Sequence, residues 1–264
     1  MIRSFYTAGT GMLVQRDRMD VVSSNLTNVE TTAYKADTLV HGRFRDMLIQ
    51  RTNDPGSTRE ERRVGPLNTG VHIDRVYTSF AQGSLEQTGR SLDFALDGEG
   101  FFVVNTPDGV RYMRDGSFSV SANGYLVTAE GHFVQGENGN LRVNGDGFTV
   151  DEAGTITDAE GRTVGTLRIV TFDDLNGLRK EGNGLFANAA AGQARQSQAK
   201  VVQGALEGSN VDVASEITRL LTVARAYQTN QGCSPWWTVP CKKPSTKWEG
   251  CDSQCSPYTP PGTG

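Results

Sequence analysis

Glycine punctuates the middle of this chain at a short, regular interval, which leaves room for little but brief strands between turns. Gly109, Gly116, Gly124, Gly131, Gly139, Gly147, Gly154 and Gly161 recur every seven or eight residues. Four of them sit in Asp-Gly or Asn-Gly pairs: Asp108-Gly109, Asp115-Gly116, Asn123-Gly124 and Asn138-Gly139. Such pairs tolerate positive φ and favour tight hairpin turns. Between the turns lie β-forming stretches such as Phe118-Ser119-Val120 and Tyr125-Leu126-Val127. The region from about Leu92 to Phe172 therefore reads as many short antiparallel strands.

Both ends of the chain follow another period. Phe5, Ala8, Met12, Met19, Val22, Leu26 and Val29 step by three and four, with Gln15 in the one polar slot. That pattern predicts a helix with an apolar seam suited to another helix. Gly9 and Gly11 each lower helix propensity by roughly 1 kcal/mol relative to alanine, so the helix needs partners. Thr27, Asn28, Thr31 and Thr32 mark its end. Near the other terminus Val213, Ile217, Leu220, Ala224 and Tyr227 repeat the same steps. Ser209-Asn210 are the candidate start there, with Asp212 and Glu216 favourably placed in the early turns. The expected fold is α+β. The N- and C-terminal α-helices form a coiled-coil-like inner domain, and a central all-β domain is built of short antiparallel strands. The expected divisions are 1–36, an N-terminal helix and the segment after it; 37–80, an extended linker and β segment; 81–195, the central β domain; 196–231, a C-terminal segment and helix; and 232–264, an atypical tail. Within the linker, residues 50–70 are polar, hold Pro55 and Pro66, and read as a loop.

Composition excludes several classes of function. A net charge of −4 argues against nucleic acid as partner, because phosphate binding needs a clustered basic face. The longest apolar run is Phe101-Phe102-Val103-Val104, far short of a membrane span. Met1-Ile2-Arg3-Ser4-Phe5 has no apolar core of a cleavable leader. His41, His72 and His132 stand apart, with no metal-ligand spacing. Gly98-x-Gly100 and Gly145-x-Gly147 lack the strand–turn–helix setting of a phosphate loop. Asp173 and Asp174, adjacent on a strand, would point to opposite faces. Asn138, Asn140, Asn144 and Asp146 offer oxygen atoms but no calcium-loop spacing. No residue set proposes a reaction, so no catalytic, cofactor-binding or metal residue is expected, no cofactor is implied, and the chain reads as a non-enzyme.

The last 33 residues differ from the rest. They hold Cys233, Cys241, Cys251, Cys255, Trp236, Trp237 and Trp248, while residues 1–231 hold neither Cys nor Trp. The cysteine spacing matches no zinc motif. Read one base back, the codons from Gly232 onward permit R-V-L-S-M-V-D-G-T-L-Q-K-A-V-N-E-V-G-R-V and then a stop, a string that looks like amphipathic helix. We therefore expect residues 232–264 to be a frameshift product. Pro235, Pro240 and Pro244 would block helix continuation as written.

Four blocks carry a resemblance. The run from Asp20 to Lys35 (DVVSSNLTNVETTAYK) resembles the N-terminal signature of bacterial flagellar rod, hook and hook-associated proteins. The run from Leu92 to Val104 (LDFALDGEGFFVV), extended by Tyr112 to Phe118, resembles the internal block of their rod and hook branch. Leu206 to Val213 (LEGSNVDV) with Arg225-Ala226-Tyr227 resembles their C-terminal signature. Ala33 stands where that family usually has glycine, which puts the turn there in question. The length suits a rod protein; a hook protein is normally longer. The resemblance implies a structural subunit whose terminal helices pair into an inner tube domain and stack helically around an export channel. Implied partners are copies of itself, other flagellar rod and hook subunits, and the flagellar type III export apparatus, with no nucleic acid and no membrane insertion. The implied place is the periplasm-spanning rod of the basal body. Seam spacing and the signature together nominate Phe5, Met12, Met19, Val22, Asn25, Leu26, Asn28, Val213, Ile217, Leu220, Ala224 and Tyr227 as subunit-interface residues. The alternatives are a hook-type axial protein, a wall hydrolase built on the β region, and a rod-associated protein with a separate binding tail.

Overall fold

The computed structural model describes residues 2–50, 63–143, 147–190 and 192–232, with the side chains of residues 2–5, 50 and 63 left aside. The expectations for Asn144, Gly145, Asp146 and residues 233–264 lie outside the described residues.

Helix α1 spans Ile2–Thr27. It stops as expected: the amide and side chain of Asn28 both donate to the Ser24 carbonyl, at 3.2 and 2.8 Å. Helix α2 spans Val213–Gly232. It starts later than Ser209-Asn210, because Asp212 is the residue whose side chain accepts from the Ala214 amide. Between the helices every described strand pairing is antiparallel, in keeping with the hairpin chemistry of the sequence.

A two-stranded ribbon follows α1. Strand β1 (Asp37–Arg43) runs against β4 (Val71–Thr78), with a bulge between Val40 and His41. Farther out, β2 (Met47–Gln50) pairs with β3 (Arg63–Leu67). Residues 63–67, expected as loop, are thus strand. Pro66 is tolerated because β3 has a single described neighbour.

The β body is built around β7. Strands β5 (Leu85–Gln87) and β6 (Phe94–Asp97) pair with Ala205–Glu207 and Lys200–Gln203, so the C-terminal segment returns beside the entry to the body. Strand β7 (Phe101–Thr106) joins β8 (Gly109–Met113), Phe133–Gly136 and Ile169–Thr171. Its apolar run is buried on both faces. Phe102 and Val104 enter a core with Phe94, Phe118, Leu126 and Ile156, and Phe101 and Val103 enter a second with Phe172 and Phe186. Phe102 meets Phe118 edge to face at 5.3 Å, a geometry that favours aromatic contact. Two covered faces explain why this strand reads as a continuous apolar run rather than an alternation.

The helices correct the expectation of a coiled-coil inner domain. The described residues contain two α-helices, which form one antiparallel pair and do not make a separate coiled-coil unit. Asn25 bonds Glu216, and a β-carbon added at Gly11 would lie 3.2 Å from the Asn230 side chain. The two contacts are equally far apart on each helix, so the helices run in step. The buried residues of the pair are Val14, Val22, Asn25, Glu216 and Val223. The inward line on α2 is Glu216, Leu220, Val223, Tyr227 and Asn230, rotated by one position from the expected Val213–Ile217–Leu220–Ala224–Tyr227. Polar groups drive the rotation: Asn25 and Glu216 are drawn inward by a hydrogen-bond network that apolar spacing does not encode. Val213 and Ile217 consequently face out, at 40% and 43% exposure. No described helix is long and apolar enough to cross a membrane.

Most of the punctuating glycines do adopt positive φ, among them Gly109, Gly124, Gly139, Gly154 and Gly161. Gly116 does not. It is required for close approach, since a β-carbon there would fall on the Phe94 carbonyl. That carbonyl belongs to strand backbone and has nowhere to move. Gly116→Ala should therefore cost several kcal/mol, in the range of severe core overpacking. The expected result is loss of the cooperative thermal transition of the β body by circular dichroism.

Candidate functional site

The residues of the N- and C-terminal signatures meet at one place, where α1, the ribbon, the β body and the returning C-terminal segment converge. Asn25, in the last turn of α1, uses its whole amide. Its Nδ2 donates to the Asp37 carbonyl at 2.8 Å and to Glu216 Oε2 at 3.5 Å. Its Oδ1 accepts from the Asp37 amide at 2.9 Å and the Tyr34 hydroxyl at 3.2 Å. Asn210 does the same from the other end of the chain. It donates to the carbonyls of Ser79 and Ala81 and accepts from the Ala36 amide at 2.8 Å. Two asparagines thus tie the segment after α1 to the ribbon and to the start of α2. Buried polar groups satisfied this fully add rigidity, and each partner lost costs about 1–3 kcal/mol.

Between them lies a buried three-charge cluster. The Lys35, Glu207 and Arg114 side chains are 1%, 0% and 6% exposed. Lys35 Nζ donates to Glu207 Oε1 at 2.6 Å and to the Ala81 carbonyl at 2.9 Å. Arg114 Nε donates to Glu207 Oε2 at 2.5 Å, and its other nitrogens donate to the carbonyls of Leu96, Gly98 and Gly100. The Gly83 amide completes the carboxylate shell at 2.9 Å. Burial alone would raise the Glu207 carboxyl; the Arg114 charge and the hydrogen bonds from Lys35, Arg114 and Gly83 outweigh it and hold it below the ordinary glutamate value. Burial lowers Lys35 from its ordinary value, with Glu207 opposing. Nearby, burial raises the Asp115 carboxyl, which Thr32 and the Ser117 amide hydrogen-bond.

A hairpin of the β body closes the junction from outside. Lys180 Nζ sits 3.8 Å over the Tyr34 ring and bonds Asp37 at 3.2 Å and the Lys35 carbonyl at 3.1 Å. Ala33 holds φ +54, and its amide donates to the Glu207 carbonyl at 2.7 Å. The turn therefore keeps a left-handed backbone with an alanine in it.

A cleft lined by Lys35, Phe80, Gly98, Phe101 and Arg114 opens beside the cluster. Both of its cations are bonded to Glu207 and to backbone carbonyls. No group of three metal-ligating side chains occurs among the described residues. Asp173 and Asp174 go separate ways, one pairing with Arg195 at 2.9 Å and the other capping a short 3-10 turn at Leu175–Gly177. His72 stacks against Phe44, and His132 lies 3.4 Å from Glu130.

Of the nominated interface residues, Val22 and Asn25 are buried inside the chain. Met12, Met19, Leu26, Asn28, Leu220, Ala224 and Tyr227 are half-buried along the helix pair, and Val213 and Ile217 are exposed. The side chain of Phe5 lies outside the described residues. Sequence reasoning passed over Lys35, Arg114, Glu207 and Asn210 as site residues. Their signal was only that each lies inside one of the motif blocks, beside other polar residues that take no part in the cluster. Gly98-x-Gly100, which lacks the setting of a phosphate loop, supplies two of the carbonyls that hold Arg114.

The two ends of the chain are thus bonded to each other and to the β body across a buried ion cluster. Three family models match the chain. "Flagella basal body rod protein" covers residues 5–35, "Flagellar hook protein FlgE/F/G D1 domain" covers 95–158, and "Flagellar basal body rod FlgEFG protein C-terminal" covers 202–231. The chain is 33% identical over 251 residues to the flagellar basal-body rod protein FlgG of Bacillus subtilis, covering 87% of this chain and 93% of that one. It is 34% identical over 247 residues to FlgG of Agrobacterium fabrum, with coverage of 87% and 93%. It is 32% identical over 253 residues to the flagellar hook-basal body complex protein FlhO of Bacillus subtilis, with coverage of 88% and 93%. The chain belongs to the flagellar basal-body rod protein family. It is a structural subunit of the rod.

Two outcomes follow from the geometry. Glu207 has a depressed folded value, so its stabilisation is present above the unfolded value of 4.5 and is lost as pH falls through the lower folded one. Glu207→Gln should cost about 3–5 kcal/mol at neutral pH by leaving buried cations short of their counter-charge. It should also flatten the acid limb of melting temperature against pH, while the opposing Asp115 contribution stays. Separately, Ala33→Gly should raise stability by about 1 kcal/mol, the penalty of a left-handed alanine, measured by urea denaturation.

Proposed function

We propose that this subunit polymerises helically around the flagellar export channel and links the motor to the hook across the periplasm. Copies of itself and other rod and hook subunits are its partners. The type III export apparatus delivers it without a cleaved signal, and it has no catalytic role and does not insert in the membrane. The supporting observation is that two apolar stripes face outward on two different helices. On α1 these are Tyr6 and Leu13, 66% and 53% exposed; on α2 they are Val213, Ile217 and Leu221, the last 54% exposed. Exposed Asp20 lies seven positions beyond Leu13 and exposed Arg225 four beyond Leu221, so the two stripes end in opposite charges. A patch on α1 meeting a different patch on α2 of the next copy is a heterologous contact. Such contacts propagate as open helical filaments when the rotation does not close.

The nominated residues then divide by depth. Val213 and Ile217 touch the neighbour, the half-buried Met12, Met19, Leu26, Asn28, Leu220, Ala224 and Tyr227 form the rim, and Val22 and Asn25 hold the face in shape. Export through a narrow channel suits helices of low intrinsic stability, such as α1 with its Gly9 and Gly11.

Ile217→Lys discriminates this role from a purely internal one. As an exposed substitution it should change stability by no more than about 0.5 kcal/mol, which moves a chain of this size by roughly 2 °C or less. The same gene should fail to restore rods and swimming to a strain lacking it. Restored swimming would overturn the assignment of this face.

A further inference from the structure

We infer that Lys180 is a latch. It is a positioning residue that holds Asp37 from the side of the β body and so sets the angle between that body and an arm made of α1, α2 and the ribbon. The inference concerns the free subunit and does not rest on the helical assembly proposed above.

The arm is one piece because helix and ribbon are tied at both ends. Near the junction Asn25 holds the amide and carbonyl of Asp37, and the Thr78 hydroxyl donates to Asp37 Oδ1 at 2.6 Å. At the other end Gly70, just before β4, lies so close to α1 that a β-carbon there would fall on the Thr10 hydroxyl. Beside it the Thr7 hydroxyl donates to the Thr69 carbonyl at 3.4 Å. Residues 10 and 25 lie about 22 Å apart along the helix, at 1.5 Å per residue.

The body takes hold of this arm from two sides. On one side the Lys35 side chain enters the Glu207 cluster, the Ala33 amide bonds the Glu207 carbonyl, and Thr32 bonds Asp115. On the other side comes the hairpin of Leu178–Gly182 and Leu185–Asn188. Its base is firm: Phe186 packs on Phe80 and Phe101, and Glu181 pairs with Arg111 at 2.5 Å. Along its first strand Leu178 is buried, and Lys180, two residues on, shares that face. A lysine there must carry its charge out of an apolar face. Its ammonium finds three partners at once: Asp37 Oδ2, the Lys35 carbonyl and the face of the Tyr34 ring. All three lie within the span 34–37. Lys35 is thus held twice, by its side chain in the cluster and by its carbonyl at Lys180.

Asp37 is where these holds meet. Its backbone goes to Asn25, one carboxylate oxygen to the ribbon and the other to the hairpin. The buried cluster fixes the point at which arm and body touch. A long arm can still tilt about one point, and a second hold away from that point sets the tilt. Space for the tilt is present. A groove of about 640 Å³ separates Ser24, Asn28 and Tyr34 on the arm from Gly182, Asn183 and Phe186 on the hairpin, and Lys180 bridges it. For a structural subunit, this angle is the shape it presents to its neighbours.

The test is the distribution of distances between two labels in the full chain, carried by non-natural residues at exposed Gln228 on α2 and exposed Ser119 on the body. Lys180→Met keeps the stem and removes the charge. Asp37→Asn keeps the backbone bonds of that residue and removes the opposite charge. Each is expected to widen the distribution roughly twofold, since two parts joined by a small polar contact move by default. The double variant should be no wider than either single one, because both changes break the same contact. Lys180→Arg, which keeps a cation for the same carboxylate and ring, should stay narrow. The melting temperature of Lys180→Met should fall by about 5 °C or less, as for a partly exposed ion pair in a chain of this size. An unchanged width in Lys180→Met, or widths that add in the double variant, would overturn the latch. So would loss of the cooperative melting transition in Lys180→Met, which would make Lys180 a requirement of the fold itself.

Discussion

The rest of this structure depends on one carboxylate. Glu207 is buried with no exposed side-chain surface, between a lysine and an arginine that are nearly as deeply buried. Each ion has left water at a cost of several kcal/mol, recovered only when geometry and additional hydrogen bonds are good. Here the shell is complete: Lys35, Arg114 and the Gly83 amide on the carboxylate, and backbone carbonyls on both cations. The three residues come from the segment after α1, the β body and the strand before α2. No two of these parts can take their places correctly while the third is absent without stranding a buried charge. An apolar cluster of equal volume would tolerate sliding; a three-charge cluster specifies one arrangement.

That specificity decides how the helices sit. Asn25 and Glu216 face each other at the edge of the same network, and their bonds fix the rotation of both helices about their axes. With polar residues turned in at this end, the apolar steps of Val213 and Ile217 are turned out. The outward stripes thus follow from an internal polar requirement. Far from the junction the pair holds Gly9, Gly11 and Asn230 and few buried apolar groups, so its stability must decline with distance from Asn25. A subunit that is firm at its junction and weaker at its helix ends suits a chain that completes its packing against neighbours.

Much of this was legible beforehand. Turn glycines located the short strands, because Asp-Gly and Asn-Gly pairs act locally and need no distant partner. Helix α1 and its end at Asn28 were legible for the same reason. The four motif blocks identified the family, and the matched relatives bear that out. The coiled-coil inner domain was misread because apolar spacing shows that a helix has an inward face, but not which polar residues a distant segment will draw into it. The strand at Arg63–Leu67 was hidden by Pro66 and by the polar residues that precede it, and a strand with a single described neighbour tolerates that proline. Gly116 looked like a turn residue and proved to be a contact residue, since its need comes from the Phe94 carbonyl and not from its own φ.

The sequence by itself determined the local elements, the division into helical ends and a β middle, and the break in composition after residue 231. Each of these is written in neighbouring residues: propensity, period and turn chemistry reach only a few positions along the chain. The tertiary structure alone decided that Lys35, Arg114 and Glu207 share one buried site, that Asn25 and Asn210 use every atom of their amides, and which helix faces look outward. Those outcomes depend on burial and on pairs more than 90 residues apart in sequence, as for Arg114 and Glu207. A charge reveals nothing in the sequence about whether it will be solvated or enclosed; only folding removes the water and makes the partner necessary.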